Sequence, residues 1–143
     1  GRRYPFEHYE HEFKVPMGSP ADTVLEYNIY CDSDELEEYI YPVIYAVPRG
    51  SNTTFTIENL NEFESMQITS TRKQDLQIDC DNCICSWGKN YANVASYSSI
   101  GWSEADSIYW FRLFPGDNPI RITGNVDVTF SYDAPLKKVG GWL

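Results

Sequence analysis

Phe111-Arg112-Leu113-Phe114-Pro115-Gly116-Asp117-Asn118-Pro119-Ile120-Arg121-Ile122-Thr123-Gly124-Asn125-Val126-Asp127-Val128-Thr129-Phe130 is the stretch that decides the fold class. Proline lacks a backbone donor and glycine favours turn dihedrals, so Pro115-Gly116-Asp117 interrupts a strand. Ile120 and Ile122 then alternate with Arg121 and Thr123, and beyond Gly124-Asn125 the residues Val126, Val128 and Phe130 alternate with Asp127 and Thr129. A period of two buries one face and wets the other, so the stretch reads as strand, turn, strand, turn, strand in an antiparallel meander. Its first member, Ile108 to Phe114, is almost wholly apolar or aromatic and is expected to be a central strand covered on both faces.

The same period extends toward the amino terminus. Leu25, Tyr27, Ile29 and Cys31 share one face of a strand, and Val43 to Val47 forms another, stopped by Pro48 and Gly50. Phe55 and Ile57, Met66 and Ile68, and Leu76, Ile78 and Cys80 mark three more. Asp81-Asn82 is a hairpin turn signal, after which Cys83 to Trp87 returns. Asp32 to Glu38 predicts a loop with one helical turn capped by Ser33. About eight to ten short strands and almost no helix predict an all-β fold, an antiparallel two-sheet β-sandwich or jelly roll. Residues 1–22 are expected to be a lead-in carrying an edge strand near His8 to Val15, residues 23–134 the sandwich, and residues 135–143 a tail that leaves the sheet.

A chain of 143 residues suits one domain, since this size buries roughly 70% of the surface its unfolded form exposes. The net charge of −10 argues against nucleic acid, which calls for a basic face, and against an anionic membrane surface. No run approaches the roughly 20 apolar residues of a membrane helix, so no membrane insertion is expected. Gly1 to Phe6 shows no apolar signal segment and no initiator Met, as expected of an excised or processed piece.

The residue types that carry chemistry give no catalytic set. Cys80, Cys83 and Cys85 have the spacing of soft metal ligands, but they flank the Asp81-Asn82 turn and lack a second paired motif, so free thiols packed as small apolar groups are expected. His8 and His11 lie three apart, on opposite faces of a strand, and do not converge on a metal. No G-x-S-x-G element and no phosphate-binding glycine loop occurs. Paired carboxylates are unavoidable among 21 acids and leave hydrolysis the weakest reading. Asn52-Thr53-Thr54 matches the glycosylation triplet. The residues therefore predict no enzyme, no cofactor and no metal site. The Gly88 to Trp102 loop sets Tyr91, Tyr97 and Trp102 among small polar residues, a composition that suits a sugar-binding or protein-binding face.

Pro42-Val43-Ile44, Gly50, Phe55-Thr56-Ile57, Leu76-Gln77-Ile78-Asp79-Cys80 and Leu113-Phe114-Pro115-Gly116-Asp117-Asn118-Pro119-Ile120 occur in that order. In this, roughly over residues 24–133, the chain resembles the carboxyl-terminal domain of distal tail proteins of long-tailed, non-contractile phages and prophages. The resemblance implies a galectin-like or carbohydrate-module-like sandwich without enzymatic activity. It would project from a hexameric ring, built by a separate amino-terminal domain, in a virion tail assembled in the bacterial cytoplasm. It implies a baseplate hub that docks other tail or receptor-binding proteins; the alternative, which rests on the loop composition and not on the resemblance, is a carbohydrate-binding module that recognises a cell-surface glycan through Tyr91, Tyr97 or Trp102.

Overall fold

The computed structural model describes residues 6–31, 39–49, 54–103 and 108–135. Its strands are β1 (Phe6–Phe13), β2 (Val24–Cys31), β3 (Val43–Pro48), β4 (Thr54–Asn59), β5 (Ser65–Thr69), β6 (Leu76–Asp79), β7 (Ile84–Trp87), β8 (Gly116–Thr123) and β9 (Val126–Pro135). One 3-10 turn, Tyr97–Ile100, follows β7. The strands form two antiparallel sheets, β1-β9-β3-β6-β7 and β2-β8-β4-β5. The expected helical turn at Asp32–Glu38, residues Gly50, Asn52 and Thr53, and the chain beyond Pro135 lie outside the described residues.

Alternation sorts most strands between core and surface as the sequence predicts, but β6 and β7 depart from it: Gln77 and Asp79, expected to face outward, are buried, as is Ser86. Ile120 and Ile122 on β8, Val126, Val128 and Phe130 on β9, and Ile44, Ile57, Ile68 and Ile78 on their strands are all at most 1% exposed. These inward rows interleave into one core, and burying each large apolar side chain contributes on the order of 2 kcal/mol. At one edge, Phe13 of β1 stacks on Tyr27 of β2 with ring centroids 4.3 Å apart, closing the gap between the sheets.

Two expectations are corrected. Val126 to Phe130 is not the next strand of a meander with Ile120 to Thr123, because β8 and β9 belong to opposite sheets. Gly124-Asn125 carries the chain across the sandwich instead. Gly124 has φ +131°, and a Cβ there would sit 2.8 Å from the Phe55 Cβ, so only glycine fits the crossing. Ile108 to Phe114 is not a central strand either. It runs irregularly past the end of the sheets, touching strand geometry only where Leu113 bridges Ile40. Its apolar character has another cause: Phe111 and Leu113 plug the core and are 0% exposed.

The amino-terminal segment contributes more than a connection, since β1 pairs with β9 over its whole length, from Phe6↔Pro135 to Phe13↔Val128. At the far edge, the long loop after β7 lies along that strand. Trp87 N donates to Asn93 O at 2.8 Å and Ala95 N to Cys85 O at 2.8 Å, so this sheet edge has its backbone groups satisfied.

Candidate functional site

The β4–β5 turn is the best-anchored irregular segment. Asn59, fully buried at the end of β4, accepts from Asn61 N at 3.1 Å through its side-chain oxygen, while its backbone carbonyl accepts from Glu62 N at 2.9 Å. Asn61 Nδ2 donates to Asp117 O at 2.8 Å. Glu62 then receives Arg112 Nε at 2.7 Å, Arg112 Nη2 at 2.5 Å and the Tyr109 hydroxyl. Charge-assisted contacts of this kind fix geometry as well as energy. The Glu62 contacts hold the Arg112 guanidinium above its already high ordinary range. Burial, together with the bond to Glu62, drives the Tyr109 phenol far up. Phe63, between Glu62 and Glu64, is nevertheless fully exposed.

One cleft lies beside this turn and a second adjoins it. The first, about 430 Å3, is lined by Tyr41, Ile108, Tyr109 and Trp110, with Glu62, Glu64, Asp81, Cys80, Cys83 and Arg112. The second, about 470 Å3, is lined by His8, Tyr39, Tyr41, Asp79, Asp81 and Asp133 among others. Both include Tyr41 and Asp81, so the two clefts adjoin at these residues as a two-part groove. The Arg112 guanidinium lies 3.9 Å from the Tyr39 ring centroid, under the groove wall.

Asp79 is held at the groove by four donors: Asp81 N, Asn82 N, Asn82 Nδ2 and the Tyr91 hydroxyl, all within 3.1 Å. Burial alone would raise its carboxyl pKa, but the combined hydrogen bonds from Asn82, Tyr91 and the turn amides outweigh it and lower the value. The bond to Asp79, with some desolvation, pushes the Tyr91 phenol up to about 12.

Of the three aromatic residues singled out in the Gly88 to Trp102 loop, the structure brings two together and places Tyr91 apart. Tyr97 and Trp102 meet edge to face at 5.7 Å, Trp102 meets Trp110 at 5.4 Å, and Trp102 Nε1 donates to Gln67 O at 2.7 Å, which caps an outer carbonyl of β5. Tyr91 is instead bound to Asp79 on the other sheet. Trp110, missed in the sequence because its segment reads as a core strand, connects the Tyr97–Trp102 cluster to the groove. Phe63 was missed too, although an aromatic between two glutamates in a turn is a visible signal.

His8 and His11 point to opposite faces of β1. His8 bonds Asp133 at 2.7 Å and Glu10 at 3.0 Å, while His11 stacks on Tyr132. Cys31, Cys80 and Cys85 are buried free thiols as expected, whereas Cys83 is exposed at φ +58° on the groove rim. Burial pushes the Cys85 thiol up to about 12.

No curated protein and no solved structure showed significant similarity to the chain. A family model described as a phage tail C-terminal domain matches residues 8–132. That match spans β1 through nearly all of β9, the whole sandwich with its groove, and so the chain belongs to the phage tail C-terminal domain family.

Proposed function

We propose that this domain is a non-enzymatic docking module of the baseplate hub, as in distal tail proteins, holding other tail or receptor-binding proteins to the virion. In the full-length protein it would project from a hexameric ring. The observation that carries the reading is Phe63. A fully exposed aromatic side chain is the kind of anchor that an interface buries, and Asn61 and Glu62, which lead into Phe63 in the turn, are tied down. Anchors of this type supply most of the energy of an interface. The test is complementation of a phage lacking this protein with the Phe63→Asp variant. Tails that stop before the next component is added, from a variant as stable as the parent, support the reading. Complete, infectious tails would sink it.

The second reading is a carbohydrate-binding module. It is favoured by the Tyr97–Trp102–Trp110 cluster, whose half-exposed rings offer flat faces near the groove. Tyr91 would take part only by giving up its bond to Asp79. A glycan array probed with the parent and with Trp102→Ala distinguishes this reading, which fails if no glycan binds or if the variant binds equally.

A further inference from the structure

We propose that the two-part groove takes an extended, cation-bearing segment of a partner protein, with lysine or arginine side chains set between aliphatic ones. The inference rests on the docking reading and names the chemistry of the docked chain. The walls are aromatic: Tyr41 and Trp110 among others, all part-exposed. Rings of this kind accept aliphatic stems and attract a cation over their faces.

Charge decides which segment fits. The basic side chains lining the groove are already engaged, Arg112 by Glu62 and His8 by Asp133 and Glu10. Among the described residues, Glu64 and Asp81 have no ion pair, and both line the first cleft. The groove thus combines aromatic rings with two carboxylates that lack an ion pair, on a chain of net charge −10. An acidic segment would be repelled and a neutral one would leave both carboxylates uncompensated, whereas a basic one satisfies them. Two joined clefts of about 430 and 470 Å3 also exceed what one side chain fills, which favours a run of residues over a single anchor.

The probes are two blocked hexapeptides, GKLKLG and GELELG, added to the full chain. Binding is read from the NMR shift of the Trp110 indole and from the alkylation rate of Cys83, the exposed cysteine on the groove rim. GKLKLG is expected to bind at millimolar concentration, slow the alkylation and weaken with added salt, while GELELG does neither. The double variant Glu64→Gln, Asp81→Asn should bind GKLKLG about tenfold more weakly with an unchanged denaturation midpoint. Equal responses to both peptides, no response to either, shifts confined to residues away from the groove, or undiminished binding by the double variant would each overturn the proposal. Failure here with Phe63→Asp tails still incomplete would leave the docking reading standing and remove only the groove as its port.

Discussion

Asn59 Nδ2 donates to Asn118 Oδ1 at 2.9 Å, and both residues are 0% exposed. Asn118 Oδ1 also accepts from Phe114 N at 2.7 Å, and its amide nitrogen faces the carbonyls of Ile29, Phe114 and Gly116 at 2.9–3.1 Å. One side chain thereby ties β2, β4 and β8 to the irregular segment that carries Phe111 and Leu113. Polar groups this deep are in most cases paired, because an unmade bond there leaves the full desolvation cost.

Asn118→Ala is therefore expected to destabilise the domain by about 3 kcal/mol, because several buried backbone groups lose their partner at once. Urea unfolding measures this. A loss below about 1 kcal/mol would mean that water replaces the amide at no great cost.

Phe130→Ala is expected to cost roughly 3–5 kcal/mol. Phe130 is 0% exposed and packs against Phe13 and Phe111 with ring centroids 5.5 and 5.2 Å away, so truncation opens a cavity at the junction of both sheets and the plug. Asp127→Ala, on the opposite face of β9, removes the acceptor of Val15 N and an ion pair with Arg49, and should cost less, about 1–2 kcal/mol in the same assay.

Gly124→Ala should destabilise more than Gly18→Ala. Both glycines have positive φ, but a Cβ at position 124 meets Phe55 Cβ at 2.8 Å and Thr54 O at 3.0 Å, whereas at position 18 it meets nothing within 4 Å. The second substitution adds only backbone strain, on the order of 1 kcal/mol. Thermal midpoints of the two variants give the order, and a reversed order would mean that β4 yields easily at the crossing.

Acid stability should depend on Tyr91. Asp79 has a folded pKa below its unfolded value, so its contribution is present above the unfolded carboxyl pKa and is lost as pH falls through the folded one. Tyr91→Phe removes one of the bonds that lower it, so the acid unfolding midpoint should move to higher pH. An unchanged acid midpoint would show that the amides of the turn and Asn82 suffice by themselves.

The two histidines should titrate on opposite sides of 6.5. Hydrogen bonds to Asp133 and then Glu10 raise His8, while desolvation lowers His11. The His8 contribution is present below its unfolded pKa and fades as pH rises through the folded one; His11 works in the opposite sense. Imidazole proton shifts followed by NMR against pH test the order directly, and Asp133→Asn should bring His8 down.

Much of the architecture was written in local alternation. The inward rows of β2, β4, β5, β6, β8 and β9 follow from residues i and i+2 sharing a face, and that rule needs no tertiary knowledge. The alternation of Ile120, Ile122, Val126 and Val128 holds whether a strand's neighbour lies in its own sheet or across the core. Period two therefore assigned these residues to the core and left their sheets undetermined. The crossing at Gly124 depends on how closely Phe55 approaches, which is a contact between segments far apart in sequence. Ile108 to Phe114 misled for a related reason: composition reports burial, and a plug is buried as fully as a central strand. Asn118 read as a turn residue because its three carbonyl partners come together only when two strands of one sheet and a loop meet. The groove is legible only in space, since Tyr41, Glu64, Asp81 and Trp110 come from four separate segments. Sequence alone determined an acidic, all-β sandwich and the side chains that face its core. The folded chain decided which strands share a sheet and where its aromatic and acidic side chains converge, because those depend on long-range packing that no local pattern encodes.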